Sequence, residues 1–201
     1  MQLRARSVRL SVSAFLTCLP TVAWAHIGVG STSGFDHGFV HPLTGIDHIL
    51  AMVAVGMFAA QLGGRALWAV PLTFITVMAF GGVLGMAGVA VPFVEAGIAV
   101  SVIVLGAAVA LRWKWPTAAA LALVGLFAVF HGHAHGAEMP VDASGFEYAA
   151  GFVVATALLH ATGISTGLDI GRMGALYSKR VLQVSGTAMA ITGVGILTGF
   201  V

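Results

Sequence analysis

Among the eight histidines and seven carboxylates of this chain, six residues fall into two short, regularly spaced groups. The first is "HPLTGIDHILAM", residues 41–52, which places His41, Asp47 and His48 at the head of an apolar run. The second is "FHGHAHGAE", residues 130–138, in which His131 and His135 are four apart and Glu138 follows three later. At 100° per residue these three share one face of a helix, while His133 points roughly the opposite way. An i, i+4 histidine pair with a facing carboxylate is metal-ligand geometry. Imidazole and carboxylate without thiolate suit divalent Ni, Co, Zn or Fe rather than Cu(I).

The elements that carry these groups must sit in lipid. Of 201 residues, 59% are hydrophobic and only 8% charged, and the mean hydropathy is +1.01. A soluble domain carries about 25% charged residues. Successive apolar stretches of about 20 residues are the length that crosses a bilayer core. They are continuous rather than alternating, which excludes a transmembrane barrel. The expected fold is all-α, a polytopic membrane helix bundle.

Residues 1–25 read as a cleaved secretory signal peptide. Arg4, Arg6 and Arg9 precede the short apolar "SVSAFLTCLPTV", and "AWA" at 23–25 is a small-x-small cleavage site that leaves His26 as the mature N-terminus. The one cysteine, Cys18, falls in this leader, so the mature chain has neither disulfide nor thiolate-metal chemistry. Removing the three arginines turns the nominal +2 into six Lys and Arg against seven Asp and Glu. The basic balance therefore gives no reason to expect nucleic acid as a partner.

Six spans are expected in residues 26–201, at about 42–62, 66–88, 92–111, 116–136, 147–169 and 181–201. Pro42 suits the first position of a helix, which would make His41 its cap. Arg65, Arg112, Lys114, Arg172, Lys179 and Arg180 all fall in loops 1–2, 3–4 and 5–6. By the positive-inside rule those loops are cytoplasmic. The mature N-terminus and the C-terminus are then periplasmic, in a multi-pass protein of a bacterial inner membrane. Glycines at spacing four in "FGGVLGMAG" and "GTAMAITGVGILTG" read as close helix packing, and a homo-oligomer is compatible with such surfaces.

An ionisable group inside a membrane helix costs at least about 2.5–3.5 kcal/mol and so faces a cavity with a role. On this topology His41, Asp47 and His48 meet His131, His135 and Glu138 in the outer half of the bundle. His160 falls near the middle of span 5. Weaker candidates are Glu95 at the outer end of span 3, His133 at the interface, His37 beside Asp36 before span 1, and His26 as a free terminus.

The two groups resemble the signatures of the HupE/UreJ family of bacterial membrane proteins. That family's His-Pro-x-x-Gly-x-Asp-His pattern, followed by a methionine, corresponds to His41, Pro42, Gly45, Asp47, His48 and Met52. Its Phe-His-Gly-x-Ala-His-Gly-x-Glu pattern corresponds to Phe130, His131, Gly132, Ala134, His135, Gly136 and Glu138. The resemblance implies secondary transport of Ni²⁺ or Co²⁺ as substrate, into the cell and across the lipid bilayer. Read from residues alone, the same ligands also suit Zn²⁺ in a membrane-embedded zinc-dependent hydrolase, a bis-histidine haem protein, or a metal sensor. The chain lacks a G-x-x-x-x-G-K-[ST] nucleotide-binding loop, so transport would draw on membrane potential, an ion gradient or a partner.

Overall fold

The computed structural model describes residues 34–141 and 143–201. The expected leader, residues 1–25, and His26 lie outside the described residues. Among those described, every regular element is helical: α1 (Gly34–Val40), a 3-10 turn (His41–Leu43), α2 (Ile46–Leu62), α3 (Ala66–Met86), α4 (Val94–Leu111), α5 (Thr117–Ala137), α6 (Gly145–Arg172) and α7 (Ala175–Thr198). Local chemistry sets the breaks. Gly63 and Gly64 take φ of 67° and 51° between α2 and α3, a left-handed region that glycine enters without strain. At the start of α6, Ser144 and Glu147 form a capping-box sequence, and the Ser144 hydroxyl accepts from the Glu147 amide.

Helices α3 to α7, between 18 and 28 residues long, are each long and apolar enough to cross a membrane. The chain is a multi-pass membrane protein. Its outer faces carry exposed Leu72, Phe80, Val83, Leu126, Leu158 and Ile191, a surface suited to lipid rather than water.

The expected first span, 42–62, is not one straight helix. Residues 34–43 and 46–62 meet at a bend of 80°. The cause is local: the Thr44 amide and hydroxyl both donate to the His41 carbonyl, at 3.1 and 2.7 Å, and close the 3-10 turn. Gly45 is then extended, with φ −87° and ψ 117°, and is itself the N-cap of α2. Pro42 therefore belongs to the 3-10 turn, and His41 does not cap the long helix. Seventeen residues of α2 reach only about 25 Å, short of the ~30 Å hydrocarbon core. A second difference lies at 171–180, expected as a break. Helix α7 begins at Ala175, so Lys179 and Arg180 sit inside its first turns. Long cationic side chains reach an interface from within a helix, so their charge does not mark the helix boundary.

The core is built from close helix pairs: α3 with α5, α2 with α6, and α4 with α7, while α1 lies on α6. Glycine makes each approach possible. A Cβ on Gly132 would stand 1.9 Å from the Met78 carbonyl oxygen, and one on Gly136 2.1 Å from that of Gly82. Across α2 and α6, a Cβ on Gly56 would meet the His160 carbonyl at 2.3 Å, and one on Gly163 the Val53 carbonyl at 2.2 Å. Small residues at such seams are the usual route to tight packing in lipid. Between the seams Met52, Val55, Phe58, Phe74 and Leu105 are fully buried.

The seam predicts a sharp contrast within α5. Gly132→Ala forces overpacking worth roughly 1–3 kcal/mol or more and lowers the thermal unfolding midpoint in detergent. Gly125→Ala, whose Cβ would meet only the Thr73 and Val77 methyls at 3.8 and 3.9 Å, leaves the midpoint unchanged or slightly raised.

Candidate metal centre

Gly132 and Gly136 hold α5 against α3, and the adjacent face of α5 turns His131 and His135 towards α2. The ligand-capable nitrogens of His48, His131 and His135 lie within 4.8 Å of one another. His48 and His131 are fully buried. The closest approach is His135 Nε2 to His48 Nδ1, 3.2 Å. Two imidazole nitrogens on a tetrahedral ion at 2.0–2.1 Å stand about 3.3–3.4 Å apart, so this pair already has a bound-state spacing. Phe152 packs edge-on against His48 and tilted against His135, with centroids at 5.1 and 4.6 Å, and walls the triad from α6.

A second triad lies outside the first and shares a member with it. His41, His135 and Glu138 again offer ligand atoms within 4.8 Å. His41 Nε2 stands 2.9 Å from Glu138 Oε2, and His135 Nδ1 stands 3.6 Å from the same oxygen. The 80° bend makes this possible by laying the 3-10 turn across the mouth of the bundle. The neighbouring His135 imidazole and the hydrogen bond from His41 hold the Glu138 carboxyl down at about 2, against the upward push of partial burial. It therefore stays ionised above about pH 2. His135 thus turns one ring nitrogen to each triad.

Above both lies a cavity of about 160 Å³ lined by His41, Asp47, Glu95, His135 and Glu138. Three carboxylates and no cation on its wall make it a trap for positive charge. Arg112 and Lys114 instead line a cavity at the opposite end, with Gln61 and Ser178.

Each candidate residue from the sequence that falls among the described residues has a definite place. His41, His48, His131, His135 and Glu138 come together in the two triads. Asp47 joins neither: its Oδ1 accepts from the His48 amide at 2.7 Å and stabilises the first turn of α2, where negative charge suits the helix dipole. Glu95 sits in the first turn of α4 on the cavity wall. His160 is buried deeper, 1% exposed, with neither ring nitrogen hydrogen-bonded. Its ring meets that of Phe74 at 5.4 Å, and Phe74 meets His131 at 5.8 Å. His133 Nε2 donates to the Val89 carbonyl at 2.7 Å, and His37 is exposed on α1; neither belongs to a triad.

Three polar residues around the site escape a reading of the sequence. Ser101 Oγ lies 2.8 Å from His131 Nε2, Thr156 Oγ1 lies 3.3 Å from His48 Nε2, and the Tyr148 hydroxyl donates to the His135 carbonyl at 3.3 Å. A single hydroxyl in an apolar helix ordinarily bonds its own backbone, so none of the three carries a motif.

Both histidine groups fall within the match to the family model described as HupE / UreJ protein, which covers residues 14–196. The chain belongs to the HupE/UreJ family. It is also similar to Protein HupE of Rhizobium leguminosarum bv. viciae, with 45% identity over 192 residues, 95% of this chain and 98% of that protein. No solved structure matches it. In this HupE/UreJ chain the first family motif divides at the bend, His41 going to the outer triad and His48 to the inner one.

His135 is the member common to both triads. His135→Ala lowers Ni²⁺ affinity at least 100-fold in equilibrium binding to the purified protein. His133→Gln, which keeps a donor for the Val89 carbonyl, changes it less than twofold.

Proposed function

We propose that this protein is a permease that takes up Ni²⁺ or Co²⁺ through the two triads. One observation carries the reading: the triads overlap at His135, which faces Glu138 with Nδ1 and His48 with Nε2. A structural metal site needs one closed ligand set. Two sets that meet at the two nitrogens of one imidazole provide successive stations, a ring's width apart, for an ion that passes inward.

The dication first enters the carboxylate-lined cavity, where Asp47 and Glu95 raise its local concentration. His41, Glu138 and His135 Nδ1 then replace part of its water shell. His135 releases it to the inner triad by presenting Nε2 in place of Nδ1, and His48 and His131 complete that set. His160, buried and unpaired beyond Phe74, is the next station inward. The nitrogen and oxygen donors suit Ni²⁺ and Co²⁺ and also admit Zn²⁺.

In this reading the bent pair α1–α2 completes a sixth span. The cation-rich end faces the cytoplasm of a bacterium and the vestibule faces the periplasm, as does the C-terminus. A membrane potential that is negative inside then favours inward movement of two charges by about 4.6 kcal/mol per 100 mV.

Proteoliposomes with an inside-negative potential accumulate ⁶³Ni²⁺ or ⁵⁷Co²⁺ well above empty vesicles, and His48→Ala lowers the rate at least tenfold. Uptake falls on external acidification, because imidazole binds metal only when unprotonated. Glu138 keeps its charge down to about pH 2, so the acid loss persists in Glu138→Gln on top of a lower rate at neutral pH. No accumulation, or full activity in His48→Ala, overturns the transport reading.

A further inference from the structure

Ser101 and Thr156 each stand beside one buried imidazole of the inner triad, and their hydrogen bonds bear on which nitrogen of that ring is free. A hydroxyl has one proton and two lone pairs. The Ser101 hydroxyl lies 2.6 Å from the Ile98 carbonyl, to which it donates. Its proton is thereby committed, and towards His131 Nε2 at 2.8 Å it can only accept. His131 must then carry its proton on Nε2. Its Nδ1 is left as a bare lone pair, and that atom is buried without a hydrogen-bond partner.

Thr156 repeats the arrangement on the facing helix. Its hydroxyl is directed at the Met78 thioether at 3.9 Å, and its oxygen lies 3.3 Å from His48 Nε2. Accepting there places the His48 proton on Nε2 and leaves Nδ1, the atom 3.2 Å from His135, as the lone pair. His135 differs. Tyr148 holds its backbone carbonyl, while its ring nitrogens face Glu138 and His48.

We propose that Ser101 and Thr156 are positioning residues that lock His131 and His48 as Nε2–H tautomers, so that Nδ1 of each is the metal-binding atom. His135, with no hydroxyl on its ring, is held by donating Nε2–H to the His48 Nδ1 lone pair. A cation on that lone pair replaces this bond, so His135 alone is free to change the nitrogen it presents. The inference rests on the transport reading only in assigning that freedom a purpose. The tautomers themselves are properties of the metal-free protein. Outer partners that fix a ligand imidazole are worth about 10–100-fold in metal affinity.

The test uses the full chain, ¹⁵N-labelled at histidine, with imidazole tautomers read by NMR and Ni²⁺ affinity by equilibrium binding. Metal-free wild type shows His131 and His48 protonated at Nε2 alone. Ser101→Ala, which suits a helix and adds no bulk, gives mixed tautomers at His131 and binds Ni²⁺ about 10–100-fold more weakly. Ser101→Thr restores both, since its hydroxyl can also reach back to a carbonyl. Thr156→Val and Thr156→Ser do the same at His48. A wild-type proton on Nδ1, an unmoved tautomer in Ser101→Ala, or equal loss in the Ala and Thr variants overturns the proposal. Correct tautomers in a protein that moves no metal would sink only the transport reading.

Discussion

A neutral imidazole has one donor and one acceptor, and inside an apolar helix bundle neither can be left to water. Each buried polar atom without a partner costs about 1–3 kcal/mol. Here His48 and His131 are fully buried, and each satisfies Nε2 on a hydroxyl of a neighbouring helix. The remaining nitrogen of His48 faces His135 Nε2 at 3.2 Å. Among the described residues, His131 Nδ1 and both nitrogens of His160 have no hydrogen-bond partner. A packed core of this size has no reason to retain such groups. Under the proposed function a divalent cation gives each a partner in turn, and their cost in its absence keeps any one site from holding it too tightly.

The backbone arrangement follows from the need to bring those rings together. Glycine seams on α3, α5, α2 and α6 remove the bulk that would hold the helices apart, and the imidazoles occupy the faces beside the seams. Helix α2 is too short to span alone, and the bend at Gly45 turns the chain across the outer mouth. As a result His41 and His48, seven residues apart, serve different triads. The carboxylates follow the same logic. Glu138 binds within the outer triad, whereas Asp47 and Glu95 shape the field of the cavity above it.

Much of this was legible from residue types and spacing. The i, i+4 spacing of His131 and His135 placed both on one face, and the distribution of Lys and Arg put the site and the cations at opposite ends. What escaped is physically instructive. Asp47 reads as a ligand by type, yet a carboxylate in the first turn of a helix has a nearer donor in the backbone, and the His48 amide takes it. "HPLTG" reads as the start of a helix, but Thr44 closes a separate turn and moves the start to Ile46. Ser101 and Thr156 left no trace, because a hydroxyl that serves a ligand on another helix looks identical in sequence to one that bonds its own carbonyl. Ser101 does both.

The central claim is that imidazoles from α2 and α5 hold the ion together, with His135 common to two sets. X-ray absorption at the nickel edge of protein loaded with one equivalent of Ni²⁺ tests it most directly. The account predicts a nitrogen and oxygen shell with the multiple-scattering signature of two or three imidazoles, losing at least one imidazole in His135→Ala under the same loading. A shell of oxygen alone, a sulfur ligand such as the nearby Met78 thioether, or a spectrum unchanged by His135→Ala would contradict it.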